Sequence, residues 1–299
     1  MNKQSTFDYA IETDRNAKSE RDSNKAFELY CKAFEEGDPR AAAVLGYLYE
    51  HGINCERDNN RSEDFYQHAA SVNEPWGMYA MGRILLSRGE HSEAIRLLTD
   101  AGLSGIPFAY LLLAEAFESG TVGAPYPARA LEYYCKAADL GNNIGRHLAA
   151  GRLRDGSKAD YEKALEYLRL GCDEGDGWCC WRLAVTQLAR NGLDSNVLNM
   201  AENAANLGVA EAAEWCGQVL VKGGNEIEQD KIRGERFLRK AASEGSTRAK
   251  YLLGLYILKG LLNSSHVDEG IQLCREASNR GDEDAREVIR IFDERTGNT

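Results

Sequence analysis

Residues Ala26–Gly52 read AFELYCKAFEEGDPRAAAVLGYLYEHG, and this segment recurs along the rest of the chain. Sliding it along the sequence without gaps finds further copies that begin at Ser62, Ala94, Ala130, Ala164, Val197, Gly234 and Gly270. Successive copies start 32 to 37 residues apart. A period of this length is typical of repeat proteins, in which each copy is one supersecondary unit that packs only against its neighbours. The sequence therefore predicts a repeat array.

Three positions of the segment keep a small residue or a helix-ending residue. The eighth position is small in every copy, at Ala33, Ala69, Ala101, Ala137, Gly171, Ala204, Ala241 and Ala277. Four residues later stand residues that tolerate the left-handed conformation closing a helix, Gly37, Asn73, Gly105, Gly141, Gly175, Gly208, Gly245 and Gly281. Nine residues further come Gly46, Gly82, Ala114, Ala150, Ala184, Gly217 and Gly254, whereas the last copy has Arg290. Glycine inside a helix costs about 1 kcal/mol relative to alanine, which indicates a packing position without room for a methyl group.

Apolar residues recur at helical spacing between these positions, as Ala41, Val44, Leu45 and Leu48 do. Each repeat is therefore predicted to be two antiparallel helices that bury their apolar faces against the neighbouring pairs. The predicted organisation is an N-terminal flank or short capping helix at 1–22, a solenoid of about seven repeats plus a terminal capping helix at 23–292, and a frayed tail at 293–299.

Three stretches carry a resemblance to a known family. They are AAAVLGYLYEHG at Ala41–Gly52, ARALEYYCKAADLG at Ala128–Gly141 and AKYLLGLYILKG at Ala249–Gly260. They resemble the Sel-one-like repeat (SLR) family, a relative of the tetratricopeptide repeat (TPR), over about residues 23–292. The resemblance implies an all-α, right-handed α/α superhelical solenoid of SLR/TPR-like helix hairpins. It also implies a class of function, that of scaffolds and adaptors that bring other proteins together.

Composition and charge restrict the kinds of partner. The chain has 299 residues and a formal charge of −11, which opposes nucleic acid and anionic lipid and suits a basic protein or peptide. No stretch approaches the roughly 18 apolar residues of a membrane span, so none is predicted. The first 25 residues contain no apolar run typical of a signal peptide, and we expect a cytoplasmic, reducing location.

The eight cysteines are expected to be free. Secreted, cysteine-rich relatives pair one cysteine on each helix of a hairpin, and we expect no hairpin here to carry such a pair. Cys31 and Cys135 share one repeat position, Cys55 falls in a loop, Cys179 and Cys180 are adjacent, and the others are Cys172, Cys216 and Cys274. Their predicted role is that of buried apolar thiols. The β-lactam binding linked to those secreted relatives is accordingly not expected here.

Motifs of enzymatic chemistry are absent from the sequence. It has no G-x-S-x-G, Ser-x-x-Lys, Walker-type, H-E-x-x-H or C-x-x-C motif. The histidines occupy unrelated repeat positions in different repeats, at His51, His68, His91, His147 and His266. We therefore predict no catalytic residues, no metal site and no cofactor.

The candidate binding surface comes from the family resemblance. In the related TPR solenoids, the first helix of each pair lines a concave groove. The positions six and three before the Leu-Gly mark and one after it vary from repeat to repeat and hold three of the four tryptophans. Trp, Tyr and Arg dominate binding hot spots. The candidate partner-binding residues are Arg40, Tyr47, Trp76, Tyr79, Arg83, Phe108, Glu115, His147, Trp178, Trp181, Glu214, Gln218 and Tyr251. The alternative is that these rings only pack between successive first helices.

Three functions remain open from the sequence. The leading hypothesis is a protein–protein interaction scaffold that holds a peptide or a partner protein in the groove. The second is binding to a carbohydrate or a cell-envelope component, since SLR proteins recur in bacterial envelope systems and aromatic grooves also stack on sugars. The third is a hydrolase, as claimed for some secreted relatives, with His147, Glu115 and Glu118 as the titratable groups on offer.

Overall fold

The computed structural model describes residues 5–224, 226–262 and 267–296. This part of the chain forms seventeen α-helices, and one isolated bridge joins Gly224 to Ile227. The helices are α1 Thr6–Arg15, α2 Glu20–Glu35, α3 Pro39–His51, α4 Asn59–Ser71, α5 Pro75–Ser87, α6 His91–Leu103, α7 Pro107–Ser119, α8 Pro127–Asp139, α9 Asn143–Leu153, α10 Lys158–Asp173, α11 Gly177–Asn191, α12 Ser195–Asn206, α13 Ala210–Lys222, α14 Lys231–Ser243, α15 Thr247–Leu258, α16 Val267–Asn279 and α17 Glu283–Thr296.

The chain divides into two compact units, Met1–Gly145 and Arg146–Thr299, with the boundary inside α9. In the first unit, α1 packs on α2, α3 on α4, α5 on α6 and α7 on α8. In the second unit, α11 packs on α12, α13 on α14 and α15 on α16. Each second helix of a pair also contacts the first helix of the next pair within its unit. The predicted all-α solenoid of SLR-like helix hairpins is thereby confirmed. No helix among the described residues is both long enough and apolar enough to cross a bilayer.

The predicted helix ends are confirmed by the backbone. Gly37 follows α2 with φ of 86°, and Asn73 follows α4 with φ of 59°. Positive φ is open to glycine and, among other residues, is tolerated best by asparagine, so each helix stops there. The same position has positive φ in the other six copies, at Gly105, Gly141, Gly175, Gly208, Gly245 and Gly281.

The small residues fill the contacts between helices, as predicted. A Cβ atom on Gly46 of α3 would lie 2.6 Å from the Tyr66 ring of α4. A Cβ atom on Gly82 would lie 2.6 Å from Leu98, and one on Gly217 would lie 2.6 Å from Leu238. A methyl group does not fit at these distances, which explains why helix-interior glycine is tolerated there despite its low propensity. The small residues of the eighth position are all buried, Ala33, Ala69, Ala101, Ala137, Gly171, Ala204, Ala241 and Ala277.

Helix α1 adds a repeat that the sequence analysis did not assign. It lies in the flank 1–22, and its buried Ala10 stands 36 residues before Gly46, at the same small-residue position. Phe7 and Ile11 then occupy the groove positions three before and one after that mark. The pair of α1 and α2 is therefore a further hairpin, with its first helix in register. At the other end, α17 extends past residue 292 to Thr296, and residues 297–299 lie outside the described part.

The prediction that all eight cysteines are free is wrong, although the bridge joins two consecutive hairpins and does not lie within one. Cys172 near the end of α10 and Cys180 on α11 form a disulfide, with their Cα atoms 4.6 Å apart. The adjacent residues Cys179 and Cys180, considered in the sequence analysis, cannot bridge without strain. The turn at Gly175 instead brings Cys180 against Cys172, eight residues earlier. The cytoplasmic location was expected from two observations, the lack of a signal-like apolar run and the lack of a disulfide pattern. The second no longer holds, and the location stays a prediction.

The disulfide predicts a thiol count. In the part of the chain that the structure describes, six cysteines form no disulfide, Cys31, Cys55, Cys135, Cys179, Cys216 and Cys274. The chain unfolded without reductant should therefore react with six equivalents of a thiol reagent, and the chain unfolded after reduction should react with eight. Changing Cys172 to serine should raise the unreduced count on Cys180 while leaving the other six unchanged. Eight reactive thiols in protein purified without reductant would contradict the bridge.

Candidate functional site

An open cleft of about 640 Å³ lies in the first unit, among the first helices α1, α3 and α5. Five of the thirteen candidate residues line it, Arg40, Tyr47, Trp76, Tyr79 and Arg83. Phe7 and Ile11 of α1 also line the cleft, from the positions three before and one after the small residue of their helix. The three variable repeat positions thus meet on one surface in these three helices. The volume falls in the range typical of ligand clefts.

Half-exposed aromatic rings form one side of the cleft. The exposed fraction is 50% for Tyr47 and 49% for Trp76. The Trp76 ring meets Tyr79 edge to face, with 6.0 Å between centroids, and lies 6.1 Å from Phe108 on α7, which is 41% exposed. The rings of Trp76 and Phe108 contact each other across successive first helices and still present 49% and 41% of their surface. Packing between first helices therefore does not use up these rings, and their role in partner binding stays a prediction.

A hydrogen-bonded network closes one end of the cleft. The Glu50 carboxylate of α3 accepts two hydrogen bonds from Nη2 of Arg83 on α5, at 2.6 and 2.9 Å, and one from the Tyr66 hydroxyl of α4 at 2.8 Å. Burial opposes ionisation of Glu50, but these hydrogen bonds and the Arg83 charge outweigh it and lower the pKa of Glu50. The same Tyr66 ring rests on Gly46. The network thus ties three consecutive helices together at the cleft wall.

The charged groups at the other end are also engaged. Arg40 donates from Nε and Nη2 to Asp38, at 3.0 and 2.7 Å, and from Nη1 to Asp8 at 3.3 Å. Its guanidinium lies 4.3 Å from the centre of the Phe7 ring. Glu74 is 6% exposed, accepts a hydrogen bond from the Gly77 N–H at 2.6 Å, and has its pKa raised by burial. The middle of the cleft is left to apolar and aromatic groups.

The candidate tryptophans of the second unit form separate contacts. Trp178 is 49% exposed and meets His147 edge to face at 6.4 Å. Burial, together with the charge of Arg182, lowers the pKa of His147. Trp181 is partly buried and packs on Trp215, with ring centres 5.8 Å apart. Trp178 is therefore available for contact, whereas Trp181 is largely used for packing between α11 and α13.

The other three candidates of this unit are held by their neighbours. Glu214 accepts hydrogen bonds from the Ser246 hydroxyl at 3.0 Å and from Gln218 at 3.3 Å. Tyr251 is 9% exposed, and the Arg248 guanidinium lies 4.7 Å from its ring centre. Tyr251 is thus buried, and Glu214 and Gln218 are partly buried and hydrogen-bonded to each other.

The groups named for a hydrolase belong to two different units, and one of them has a structural partner. Glu118 of α7 accepts a hydrogen bond from the Tyr134 hydroxyl at 2.9 Å. Glu115 is exposed on the same helix, and His147 belongs to the second unit. Within the ranges that the structure describes, no three His, Cys, Asp or Glu side chains converge as a metal site requires. His266 lies outside these ranges.

Two residues of the network, Glu50 and Tyr66, were missed in the sequence analysis, although the same pair of residue types recurs at the same positions of another repeat. Glu50 and Glu118 both stand four residues after the small residue of the first helix. Tyr66 and Tyr134 share the fifth position of their copies. Each glutamate is bonded to the tyrosine 16 residues later, at 2.8 and 2.9 Å. Searching for positions that vary together between copies would have found this pair.

Comparison with known proteins identifies the repeat. A family profile described as Sel1 repeat matches residues 15–38, 39–73, 107–142, 143–176, 210–246 and 247–282. The two stretches between matches, 74–106 and 177–209, hold the hairpins α5–α6 and α11–α12, which the structure shows in the same arrangement as the others.

Curated relatives and solved structures agree with this match. The chain is 25% identical over 255 residues to the chitin synthase regulator SKT5 of Saccharomyces cerevisiae, covering 76% of this chain and 36% of that protein. It is 30% identical over 173 residues to the DAP3-binding cell death enhancer 1 of Mus musculus, covering 54% and 33%. It therefore spans about a third of the length of these relatives.

Two crystal structures show the same fold. The antigen c5321 of uropathogenic Escherichia coli, which displays an SLR fold, superposes with a TM-score of 0.75 at 24% identity, covering 98% of this chain and 64% of that one. A Sel1 repeat protein from Oxalobacter formigenes superposes with a TM-score of 0.66 at 20% identity, covering 96% and 86%. Since the repeat profile matches more than half of the residues, this chain belongs to the Sel1 repeat family.

Proposed function

We propose that this chain is an interaction scaffold that holds a segment of a partner protein in the cleft among α1, α3 and α5. Sel1 repeat proteins are in general scaffolds for protein–protein interaction and not enzymes, and the relatives carry names of a regulator and a binding protein. The observation that carries the proposal is the cleft itself, where Tyr47 and Trp76 stand half exposed beside buried apolar side chains.

Electrostatics supports a partner that is basic outside the bound segment. The net charge of −11 attracts positive charge over a distance of several ångströms, and salt screens this attraction. The ionised groups in the cleft are engaged with one another, as Glu50 is with Arg83. Long-range attraction therefore sets the rate of encounter, whereas contact with the aromatic rings sets how long the partner stays bound.

The proposal is tested by removing the exposed rings. Tyr47→Ala together with Trp76→Ala should weaken capture of every partner that the wild-type chain retains by about a hundredfold or more, since truncated aromatic hot spots cost on the order of 2 kcal/mol each. The measurement is quantitative mass spectrometry of proteins co-purified with the tagged chain. Circular dichroism should show unchanged helix content, because half of each side chain already faces solvent.

Tyr126→Ala is the matched control. Tyr126 is 54% exposed in the loop before α8 and does not line the cleft. Its loss should leave partner capture unchanged. A folded Tyr47/Trp76 variant that retains the wild-type partners at wild-type levels would show that the cleft is not the binding surface.

Carbohydrate binding is the second candidate function. Trp76 and Phe108 present adjacent half-exposed faces on α5 and α7, as rings that stack on sugars do. A glycan array probed with the wild-type chain and with Trp76→Ala separates the two candidates. Retention of a defined glycan that depends on Trp76 would favour the carbohydrate.

A further inference from the structure

We infer that the occupant of the cleft is a proline-rich segment of the partner in the polyproline II conformation. This inference rests on the proposed function and adds the chemistry of the bound segment. It follows from three properties of the cleft: its unused hydrogen-bond donors, its neutralised charges and its exposed aromatic faces.

The cleft holds free groups that can only donate a hydrogen bond. Within the described residues, no hydrogen bond engages Nε1 of Trp76, and the Tyr47 hydroxyl, which can donate or accept, is also without a bond. Arg83 engages Glu50 through Nη2 alone, which leaves its Nε and Nη1 hydrogens free. By contrast, the Glu50 carboxylate already accepts three hydrogen bonds. A complementary ligand must therefore supply acceptors.

The charges of the cleft leave little to attract a charged ligand. Glu50 and Arg83 neutralise each other, and Arg40 is bound by Asp38 and Asp8. Glu74 is buried, and its carboxylate accepts the Gly77 N–H. A charged group entering the cleft would lose hydration without gaining a free counter-ion. The matching occupant is uncharged.

A polyproline II segment has these properties. Proline has no backbone N–H, so such a segment presents unpaired carbonyl oxygens and no competing donors. Its rings are apolar and uncharged, and they pack on exposed aromatic side chains such as Tyr47 and Trp76. Its conformation is largely fixed before binding, so little conformational entropy is lost. An amphipathic helix, in contrast, satisfies its own carbonyls and would leave the donors of Trp76 and Arg83 without acceptors.

The experiment compares two mirror-image peptides by titration calorimetry on the full chain. The probes are acetylated and amidated hexaproline built from L-proline and the same peptide built from D-proline. The two have the same composition, polarity and size and form helices of opposite hand. The L-peptide should bind at least about tenfold more tightly, because the donors of the cleft have one fixed chiral arrangement and the carbonyls of only one of the two helices can meet it.

A single conservative change tests the hydrogen bond. Trp76→Phe keeps an aromatic face and removes only the Nε1 donor, and it should weaken binding of L-hexaproline by about tenfold. Trp215→Phe makes the same change on α13, outside the cleft, and should leave binding unchanged.

The outcomes separate this inference from the proposed function. Absent binding of L-hexaproline, equal binding of the two hands, or an unaffected Trp76→Phe variant would each overturn the proline-rich occupant. If the Tyr47/Trp76 alanine variant still loses its protein partners in that case, the cleft remains the binding surface with another kind of occupant. If L-hexaproline binds through Trp76 while partner capture is unaffected, the ligand class stands and the proposed scaffold surface is wrong.

Discussion

Replacing Leu45 by alanine is expected to lower the free energy of unfolding by about 2–5 kcal/mol. Leu45 is 1% exposed on α3, in the apolar cluster that also holds Tyr30 of α2 and Phe7 of α1. Its truncation removes buried methyl groups and leaves a cavity between three helices that support each other. Because each hairpin in a repeat protein is stable only against its neighbours, the loss weakens both contacts of α3 at once. Urea denaturation followed by circular dichroism measures it.

Leu103→Ala is the matched control in the same unit. Leu103 ends α6 and is 74% exposed, so its truncation changes little buried surface. We expect a change within about 0.5 kcal/mol of the wild type. Equal effects of the two changes would mean that the apolar cluster around α3 does not carry the stability of the first unit.

The fold was predictable because its signals are local and repeated. A positive φ at Gly37 or Asn73 depends on a single residue, and the steric conflict behind Gly46 is with a helix that follows at once in sequence. Each such signal recurs in every hairpin, so the copies reinforce one another. The register of α1 was missed because the search segment began at Ala26, downstream of the helix that holds Phe7.

The candidate site was predictable only in part, because recognition positions vary by nature. The family geometry indicates which positions face the cleft, and in α3 and α5 five candidates line it. Whether a residue at such a position is free depends on its particular neighbours. Tyr79 is partly exposed in the cleft, whereas Tyr251, at the same repeat position, is 9% exposed and covered by Arg248. That difference comes from neighbouring side chains, which no single position encodes.

The cysteine error has a similar cause. Pairing depends on the distance between two helices, and Cys172 and Cys180 are brought together by the turn between α10 and α11. The turn between two consecutive hairpins places a residue near the end of one helix beside one in the first turn of the next helix. Cys172 stands three residues before Gly175 and Cys180 five residues after it, so a helix end at this glycine already indicates the pair.

Gly77→Ala should destabilise the chain, by on the order of 2 kcal/mol, although alanine is the better helix former. Gly77 lies in the first turn of α5, and a Cβ atom there would be 2.3 Å from Cβ of Ala69 and 2.9 Å from the backbone of α4. Backbone atoms of a packed helix cannot move aside as a flexible side chain does. Helix α5 must therefore shift away from α4, which also displaces Trp76 at the cleft.

Gly151→Ala makes the same chemical change with the opposite expected sign. Gly151 lies in α9, and nothing is within 4 Å of a Cβ atom placed on it. Alanine there should raise the free energy of unfolding by up to about 1 kcal/mol, because only backbone entropy and helix propensity change. Thermal and urea unfolding of both variants beside the wild type measure the two signs. If Gly77→Ala proved as stabilising as Gly151→Ala, the close contact of α4 and α5 would not exist in solution, and the cleft built on it would have to be abandoned.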